Sequence, residues 1–498
     1  MKARVFKLYD SLSRKVKEVK PLEKGHLRFY ACGPTVYSYA HIGNFRSFLT
    51  ADLIIRTAQA LGLRTTFVSN ITDVGHLTDD DVADAGGEDR MEKALHSKEG
   101  EQFNNIWDLA RHYTQAMERD WQLLNMRPPD VRPRATEHIR EQILAIEELI
   151  AKGHAYETSS GIYFHVPSFA EYGKLSGNKA DELNEAERTL VKDPEKKDPR
   201  DFALWKKDDK HLMQWYSPWG WGFPGWHIEC TAMSMKYLGD SFDIHSGGED
   251  NAFPHHECEI AQSESLTGKP FAQHWVHTRF LQVNSAKMAK RVGNITTVSD
   301  LVEDGYDPLA VRYALISGIY GKPLNFTDQS LKDASQNIER FKAAWDKVSA
   351  SSAGEGGGDR LPASLDRLYS EALDAMCSDL NTAVALAKAL EGARAITREP
   401  ALTETDSQAA RAFLDKINSL LGIVRHEDPP CGFGDDTLES RRSGVDEAWI
   451  EAKISERAAR KAAKDYAAAD AIRLEIEGKG VELRDTPDGT TWKVKAGT

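Results

Sequence analysis

The stretch 225–259 concentrates side chains that bind soft metal ions. Cys230 lies in an apolar run that predicts a helix, and a second predicted helix begins with the run HHECE at His255. Residues four apart share a helix face, so the side chains of His255 and Glu259 should project together. Zinc accepts cysteine sulfur, histidine nitrogen and carboxylate oxygen, usually as four ligands. Cys230, His255 and Glu259 therefore predict a zinc site with one position open.

The spacing leaves two choices open. Cys258, three residues after His255, fits the same helix face almost as well as Glu259. Cys32 follows a predicted strand at 27–31, and ligands bind at the carboxyl ends of parallel strands, so Cys32 is a candidate for the fourth ligand. Buried cysteines more often act as small apolar residues, and histidine and glutamate on a helix are more often solvated. On the residues alone, a metal site and a simple packing role both remain.

The elements that must position these residues indicate an α/β fold. A strand at 27–31, a helix at 45–61 and a strand at 64–69 form a β-α-β unit, which builds a parallel sheet. A buried strand at 242–244 is followed by a predicted turn at 246–250. Earlier in the chain, a predicted hairpin at 154–166 is followed by a charged, proline-containing stretch at 181–200, and this middle region is typical of an insertion. We predict a Rossmann-like, doubly wound parallel sheet with an inserted connective region.

The second half of the chain is predicted to be mainly helical. Residues 349–359 (SASSAGEGGGD) favour a linker, and 361–424 show the helical period of a bundle. A basic helix at 446–477 and a hairpin at 481–494 form a small α+β module. Such a module on an acidic protein indicates an anionic macromolecular partner, the alternative being a solvated basic helix.

The bulk composition indicates a multidomain globular protein. The 498 residues carry a formal net charge of −13, which opposes nonspecific nucleic-acid binding by the chain as a whole. No apolar run approaches the roughly 18 residues of a membrane span, and the start lacks a signal-like segment. Five scattered cysteines predict no disulfide framework and suit a reducing compartment. We predict a cytoplasmic protein without membrane contact.

A basic run, KMAKR, begins at Lys287 and contains Lys290. Three cations in five residues are more often a solvated surface. The sequence has no GxxxxGK[ST] phosphate loop, however, so a bound nucleotide triphosphate would need another source of positive charge. This run is a candidate for that source.

Read together, the motifs resemble the cysteinyl-tRNA synthetase family of class I aminoacyl-tRNA synthetases. CGPTVYSYAHIGN is similar to the first family motif, which contains HIGH. PGWHIEC and FPHHECE are similar to its zinc stretches, and KMAKR is similar to the KMSKS loop. ATEHIREQI, DFALWK, DLNTAVAL, AAADAIR and DTPDGTTW follow the same family in order, so the resemblance runs from about residue 4 to 494. One tetrapeptide would be weak, but the preserved order and spacing are specific.

The resemblance implies activation of L-cysteine by ATP to cysteinyl-adenylate and transfer to the 3′ end of tRNA(Cys). It implies one zinc ion held by Cys32, Cys230, His255 and Glu259, and Mg²⁺ accompanying ATP. The implied catalytic residues are His41, Asn44, Lys287 and Lys290. The implied ATP and adenylate contacts are Gly43, Trp226, Gly247, Gly248, Asp250 and Lys290, and the implied anticodon contacts are Arg460, Lys461, Asp470, Asp485 and Trp492.

The resemblance also implies a domain division. The parts are 1–130 and 212–285 for the two halves of the catalytic domain, 131–211 for the connective insertion, 286–348 for the KMSKS-loop and stem-contact region, 349–430 for the helical bundle, and 431–498 for the anticodon-binding module. The alternative function is a tRNA-independent ligase that joins activated cysteine to a small amine. The bundle and the terminal module argue against it.

Four positions depart from the family pattern. Asn44 stands in place of the second histidine of HIGH, which keeps a hydrogen-bond donor and loses the option of a positive charge. Ala289 and Arg291 stand in place of the serines of KMSKS. Cys258, where the family commonly has asparagine, is a potential competitor for the metal. We expect activity to persist, while the effect of these departures on the rate of activation stays open.

Overall fold

The computed structural model describes residues 4–77, 88–177, 195–283, 286–287, 295–350, 360–424, 447–462, 465–477, 481–486 and 489–494. The chain divides into two compact units, Met1–His426 and Glu427–Thr498. In the part of the chain that is described, no helix is both long enough and apolar enough to cross a membrane.

The first unit alternates strands and helices before it becomes helical. Its strands are β1 (Lys7–Asp10), β2 (Lys15–Glu18), β3 (His26–Ala31), β4 (Arg64–Ser69), β5 (Ala155–Glu157), β6 (Gly161–Phe164), β7 (Phe202–Lys207), β8 (Trp215–Ser217), β9 (Gly220–Pro224), β10 (Phe242–Gly248), β11 (Ala272–Thr278), β12 (Leu281–Val283), β13 (Ala286–Lys287) and β14 (Leu324–Phe326). Its helices are α1 (Ile42–Ala60), α2 (Arg90–Leu95), α3 (Ile106–Leu123), α4 (Ile139–Ala151), α5 (Trp226–Leu238), α6 (His255–Thr267), α7 (Val298–Glu303), α8 (Pro308–Ile316), α9 (Asp328–Ala350), α10 (Arg360–Cys377), α11 (Thr382–Arg398) and α12 (Glu404–Leu421).

A four-stranded parallel sheet in the order β11-β10-β3-β4 forms the centre of this unit. Successive side chains of a strand point to opposite faces. Phe29 and Ala31 join the core that includes α1, while Tyr30 joins a second core with residues of α5 and α6. Helices therefore cover both faces, which confirms the predicted doubly wound α/β class. The sheet strand β10 continues to Gly248, so the turn predicted from residue 246 begins later than expected.

A five-stranded antiparallel sheet, in the order β5-β6-β7-β9-β8, lies between β4 and β10 in the sequence. The predicted hairpin at 154–166 is confirmed as β5 and β6. Residues of β6 and β7 share a buried cluster with α4, α5 and α6, which attaches this sheet to the helices of the central layer. The predicted boundary after residue 211 falls between two strands of this one sheet.

The helices α10, α11 and α12 lie within the predicted bundle at 361–424, and α9, which was predicted to precede the linker, packs against α11 and α12. Leu331, Ile338 and Phe341 of α9 repeat at helical spacing and are buried, as the apolar pattern requires. The helix α12 ends at Gly422, whose φ of 70° is a left-handed conformation that glycine adopts readily.

The second unit contains α13 (Glu447–Ala462), α14 (Tyr466–Glu477) and the antiparallel pair β15 (Val481–Thr486) and β16 (Gly489–Val494). The prediction of one helix over 446–477 is wrong, because Asp465 is not helical. Its side chain accepts a hydrogen bond from the backbone N–H of Ala468, and this local bond starts a new helix.

Candidate active site

Four predicted zinc ligands meet at the carboxyl end of β3. Cys32 directly follows this strand, Cys230 lies one turn into α5, and His255 and Glu259 occupy the first two turns of α6. All four side chains are buried, and one ligand atom from each lies within 4.8 Å of the others. The structure thus brings together residues from three parts of the chain, and the outermost two, Cys32 and Glu259, are 227 positions apart.

The separations of these atoms lie within about 0.3 Å of those expected around a tetrahedral ion. Ligands at about 2.0–2.3 Å from zinc are about 3.3–3.8 Å apart in a tetrahedron. The Sγ atoms of Cys32 and Cys230 are 3.9 Å apart, and Cys32 Sγ is 3.8 Å from Glu259 Oε1. His255 Nε2 is 3.0 Å from the same carboxylate oxygen. Two sulfurs, one nitrogen and one oxygen form a donor set that zinc accepts.

The charges of the cluster favour ionised Cys230 and Glu259, whereas burial raises the pKa of the Cys32 thiol well above its ordinary value. Burial raises the pKa of Glu259, but the neighbouring His245 and His255 outweigh burial and hold this pKa at about 2. Burial also raises the pKa of Cys230, but a hydrogen bond with Cys32 helps lower it to about 6. A carboxylate and a thiolate are the forms that coordinate metal ions.

The neighbouring histidines offer a second arrangement of donors. Cys32 and Glu259 also group with His245 and His256, again with one atom of each within 4.8 Å of the others. His245 Nε2 is 2.8 Å from Glu259 Oε2, and His256 Nε2 is 3.3 Å from Cys32 Sγ. The two sets share Cys32 and Glu259, so they cannot each hold a complete ion site at the same time.

Cys258 lies away from both donor sets. Its side chain belongs to a buried cluster with residues of the antiparallel sheet, and its Sγ is 3.5 Å from the hydroxyl of Tyr172. The choice between Cys258 and Glu259, which spacing leaves open, depends on the face of α6 that packs against the central sheet. That face carries Glu259.

Trp226 covers one side of the cluster. Its ring stacks on His255 with centroids 4.1 Å apart and, on its other side, on His76 with centroids also 4.1 Å apart. The sequence predicted Trp226 near the site but missed His76, and likewise His227, whose Nδ1 is 3.0 Å from Nδ1 of His255. The histidines at 245, 256 and 277 were also missed. The sequence did contain a signal for these histidines. A histidine in an otherwise apolar strand or helix is expected to be buried, and a buried imidazole requires a polar partner.

His41 and Asn44 cap the start of α1 reciprocally. The backbone N–H of Asn44 donates to His41 Nδ1 at 3.2 Å, and the backbone N–H of His41 donates to Asn44 Oδ1 at 3.0 Å. This is a capping box with an unusual pair of side chains. A Cβ at Gly43 would lie 3.0 Å from the His41 ring, so glycine at this position leaves the imidazole in place.

The two glycines at the end of β10 lie beside the cluster of donor side chains. The backbone N–H of Cys32 donates to the carbonyl of Ser246, which precedes Gly247. A Cβ at Gly247 would lie 2.8 Å from the His256 ring, and one at Gly248 would lie 2.3 Å from Asp250 Oδ1. Asp250 itself is exposed in a short 3-10 helix after the strand. The close approaches explain why this strand ends in two glycines.

The remaining predicted residues are only partly described. Lys287 lies in β13, while Ala289, Lys290 and Arg291 lie outside the described residues. Arg460 and Lys461 are in the last turn of α13, and Asp470 is exposed on α14. In the hairpin, Asp485 lies opposite Thr490 and Trp492 lies opposite Leu483.

Comparisons with known proteins agree with this architecture. Residues 18–336 match the family described as the catalytic domain of tRNA synthetases class I (C). A methionyl-tRNA synthetase from Mycobacterium tuberculosis, solved with methionyl-adenylate, is 15% identical with a TM-score of 0.53, covering 80% of this chain and 90% of that one. A leucyl-tRNA synthetase from Agrobacterium radiobacter is 11% identical with a TM-score of 0.58, covering 81% and 85%. The fold and the matched domain define a class I tRNA synthetase.

Full-length relatives narrow the class to one family. The chain is 52% identical to a cysteine–tRNA ligase of Salinibacter ruber over 99% of both sequences. It is 40% identical to a cysteine–tRNA ligase of Deinococcus radiodurans over 98% of this chain and 96% of the relative. The chain belongs to the cysteine–tRNA ligase family.

Proposed function

We propose that this protein activates L-cysteine with ATP and transfers the cysteinyl group to the 3′ end of tRNA(Cys). The observation that carries the proposal is the buried donor set of Cys32, Cys230, His255 and Glu259 at the carboxyl end of the parallel sheet. A substrate pocket containing such donors can select a thiol. The alternative, a cysteine ligase acting on a small amine, leaves the helical bundle and the second unit without a role.

Zinc, when bound by these four residues, supplies a Lewis acid that holds the substrate sulfur as a thiolate, a bond that serine cannot match. Shape alone discriminates poorly between a thiol and its hydroxyl isostere. The chain's own contribution is the geometry of the pocket. Trp226, whose ring is fixed between His76 and His255, packs beside the donors and remains partly exposed.

Activation requires positioning and charge neutralisation more than a nucleophilic side chain. The carboxylate of cysteine attacks the α-phosphorus of ATP, and pyrophosphate leaves. Because His41 Nδ1 accepts from the backbone N–H of Asn44, a neutral His41 carries its proton on Nε2, which is a donor for phosphate oxygens. This cap lies at the positive end of the α1 dipole, which also favours anions.

The other ATP-site residues have roles that follow from the resemblance and the fold. Gly247, Gly248 and Asp250 lie where β10 ends, the edge at which doubly wound sheets bind nucleotides. They would hold the ribose and adenine. Lys287 and Lys290 would neutralise the departing pyrophosphate, and Mg²⁺ would enter with ATP. A ribose hydroxyl at the tRNA 3′ end then attacks the acyl carbonyl and releases AMP.

The direct test is ATP–pyrophosphate exchange by the full-length protein, with zinc content measured on the same sample. We expect exchange with cysteine and about one zinc ion per chain, and no exchange with serine above background, because serine offers no thiolate. Formation of cysteinyl-tRNA separates transfer to tRNA from ligation to a small amine. Equal exchange with serine would contradict the proposed basis of selectivity.

The second unit is proposed to bind the anticodon through Arg460, Lys461, Asp470, Asp485 and Trp492. Stacked unpaired bases contribute about 1–3 kcal/mol each, so a chain ending at His426 should lose roughly 100-fold or more in kcat/KM for tRNA charging. Cysteine-dependent pyrophosphate exchange should stay within about twofold, because the predicted activation residues lie in the unit Met1–His426. Unchanged charging by the shortened chain would instead favour a solvated basic helix.

A further inference from the structure

Arg46 lies on α1 five residues after His41, and its side chain is buried (2% exposed). Its Nη1 donates to the backbone carbonyls of Arg279 and Phe280, both at 2.8 Å. Its Nη2 donates to the carbonyls of Ile319 at 3.3 Å and Lys322 at 2.5 Å. One guanidinium therefore ties the helix to two separate backbone segments.

Glu249 binds the first of these segments from the opposite side. It directly follows Gly248, and its Oε1 accepts from the backbone N–H of Phe280 at 2.6 Å. Its Oε2 accepts from Arg279 Nη1, also at 2.6 Å. Residues 279–280 are thus held by the helix that begins at His41 and by the turn that follows the two glycines.

The segment held in this way leads to the predicted lysine loop. Residues 279–280 join β11 to β12, and β12 pairs in parallel with β14 and antiparallel with β13, which contains Lys287. The backbone N–H of Leu324, the first residue of β14, donates to the carbonyl of Phe280. Arg46 Nη2 binds the segment 319–322, and this segment precedes β14. The contacts of Nη1 and of Nη2 therefore both hold segments that enter the same three-stranded sheet, β13-β12-β14.

The chemistry of these contacts requires arginine. Burial lowers the pKa of Arg46, with Glu249 opposing this effect, and the resulting value of about 10 keeps the side chain charged at neutral pH. A buried cation is tolerated only when its donors are satisfied, and four carbonyl oxygens accept hydrogen bonds from the two terminal nitrogens of this one. Lysine would present a single point of attachment and could not span the two segments.

We propose that Arg46 and Glu249 are positioning residues for amino-acid activation. They fix the start of β12 and the start of β14 relative to the start of α1, and β12 pairs with the strand that carries Lys287. The inference rests on the proposed function. In this proposal α1 has a second role. The same helix would position both the phosphate-binding cap at His41 and the strands that lead to the lysine run.

The test compares Arg46→Lys with Arg56→Lys in cysteine-dependent pyrophosphate exchange by full-length protein. A misplacement of about 1 Å at a reacting centre can cost about 100-fold, so we expect Arg46→Lys to lower kcat by about 10- to 100-fold. The KM for cysteine should stay within about twofold and zinc content should be unchanged, because the donor cluster lies on the opposite face of the sheet from α1.

Arg56→Lys is the matched control. Arg56 is on the same helix, is buried (3% exposed), and also donates to backbone carbonyls, those of Asn125, Asn418 and Ser419. This variant should lower the thermal midpoint while leaving kcat within about twofold, because its contacts lie at the other end of α1. An unchanged kcat in Arg46→Lys, or an equal loss in both variants, would overturn the inference.

Glu249→Ala provides a second route to the same answer, because Glu249 lies on a short surface helix where substitution is tolerated more easily. It should lower kcat, and its effect should be less than additive with that of Arg46→Lys, since both residues hold one segment. Strictly additive losses would contradict a shared action. Absence of exchange in the unaltered protein would overturn the proposed function and the inference with it.

Discussion

Replacing Cys230 with alanine is expected to remove the zinc ion and to lower cysteine-dependent pyrophosphate exchange roughly 10³-fold. Changes to groups that only orient metal ligands cost about 10- to 100-fold in affinity or activity, and Cys230 is itself a proposed ligand. Its Sγ lies 3.9 Å from that of Cys32 within the buried donor set, so alanine leaves an incomplete site. Zinc content and exchange kinetics on one preparation measure both effects.

Cys258→Ala is the matched control for this experiment. Cys258 is equally buried and adjoins the proposed ligand Glu259, but its Sγ points to the hydroxyl of Tyr172. We expect full zinc content and normal exchange in this variant, which would also exclude competition for the metal.

The second donor set allows zinc content to distinguish between two assignments of the metal ligands. Cys230 and His255 belong only to the first set, whereas His245 and His256 belong only to the second. If Cys230→Ala retained a full equivalent of zinc while His256→Ala lost it, the ion would occupy the second set, and the proposed assignment would be wrong.

Replacing Asp52 with asparagine is expected to destabilise the first unit by about 3–5 kcal/mol, the usual cost of leaving buried charges without their partner. Asp52 Oδ2 accepts from Arg56 Nε at 2.8 Å and from Arg312 Nη2 at 2.5 Å, and all three side chains are buried. The same arginines donate to carbonyls at the ends of α3 and α12. Asp52 therefore compensates charge where the central α/β layers meet the helical bundle.

Urea unfolding followed by circular dichroism measures this loss. The control is Asp366→Asn, because Asp366 pairs with Lys416 at 3.4 Å and its side chain is 78% exposed. An exposed pair contributes about 0–1 kcal/mol, so the control should change little. Equal effects in the two variants would contradict a structural role for the buried network.

The sign of the pH dependence follows from the same contacts. Burial raises the pKa of Asp52, but Arg56 and Arg312 outweigh burial and lower it below its ordinary value. A carboxyl with a depressed folded-state pKa stabilises the fold above its unfolded pKa of about 3.9. The stability difference between the unaltered protein and Asp52→Asn should therefore persist at neutral pH. It should shrink as the pH falls below about 4 toward the folded-state pKa.

The sequence predicted most elements near the site because their signals are local. The strand at 64–69 coincides with β4, and the hairpin at 154–166 contains β5 and β6. The single helix over 446–477 was wrong because its alanine-rich, basic pattern continues across Asp465, where a local cap interrupts the backbone. The turn at 246–250 began too early because glycines in a buried strand look like turn residues.

By itself, the sequence determined which chemistries were available: two cysteines, a histidine and a glutamate in motifs whose order identifies the family. Helix periodicity could not choose between Glu259 and Cys258, because it fixes angles about one axis and not the side of the helix that meets the sheet. The histidines around the ligands, the Arg46 fork and the ion pair between Asp52 and Arg312 were likewise decided by tertiary structure. Each joins residues that are distant in the chain, and only packing between layers determines which buried charges and donors become neighbours.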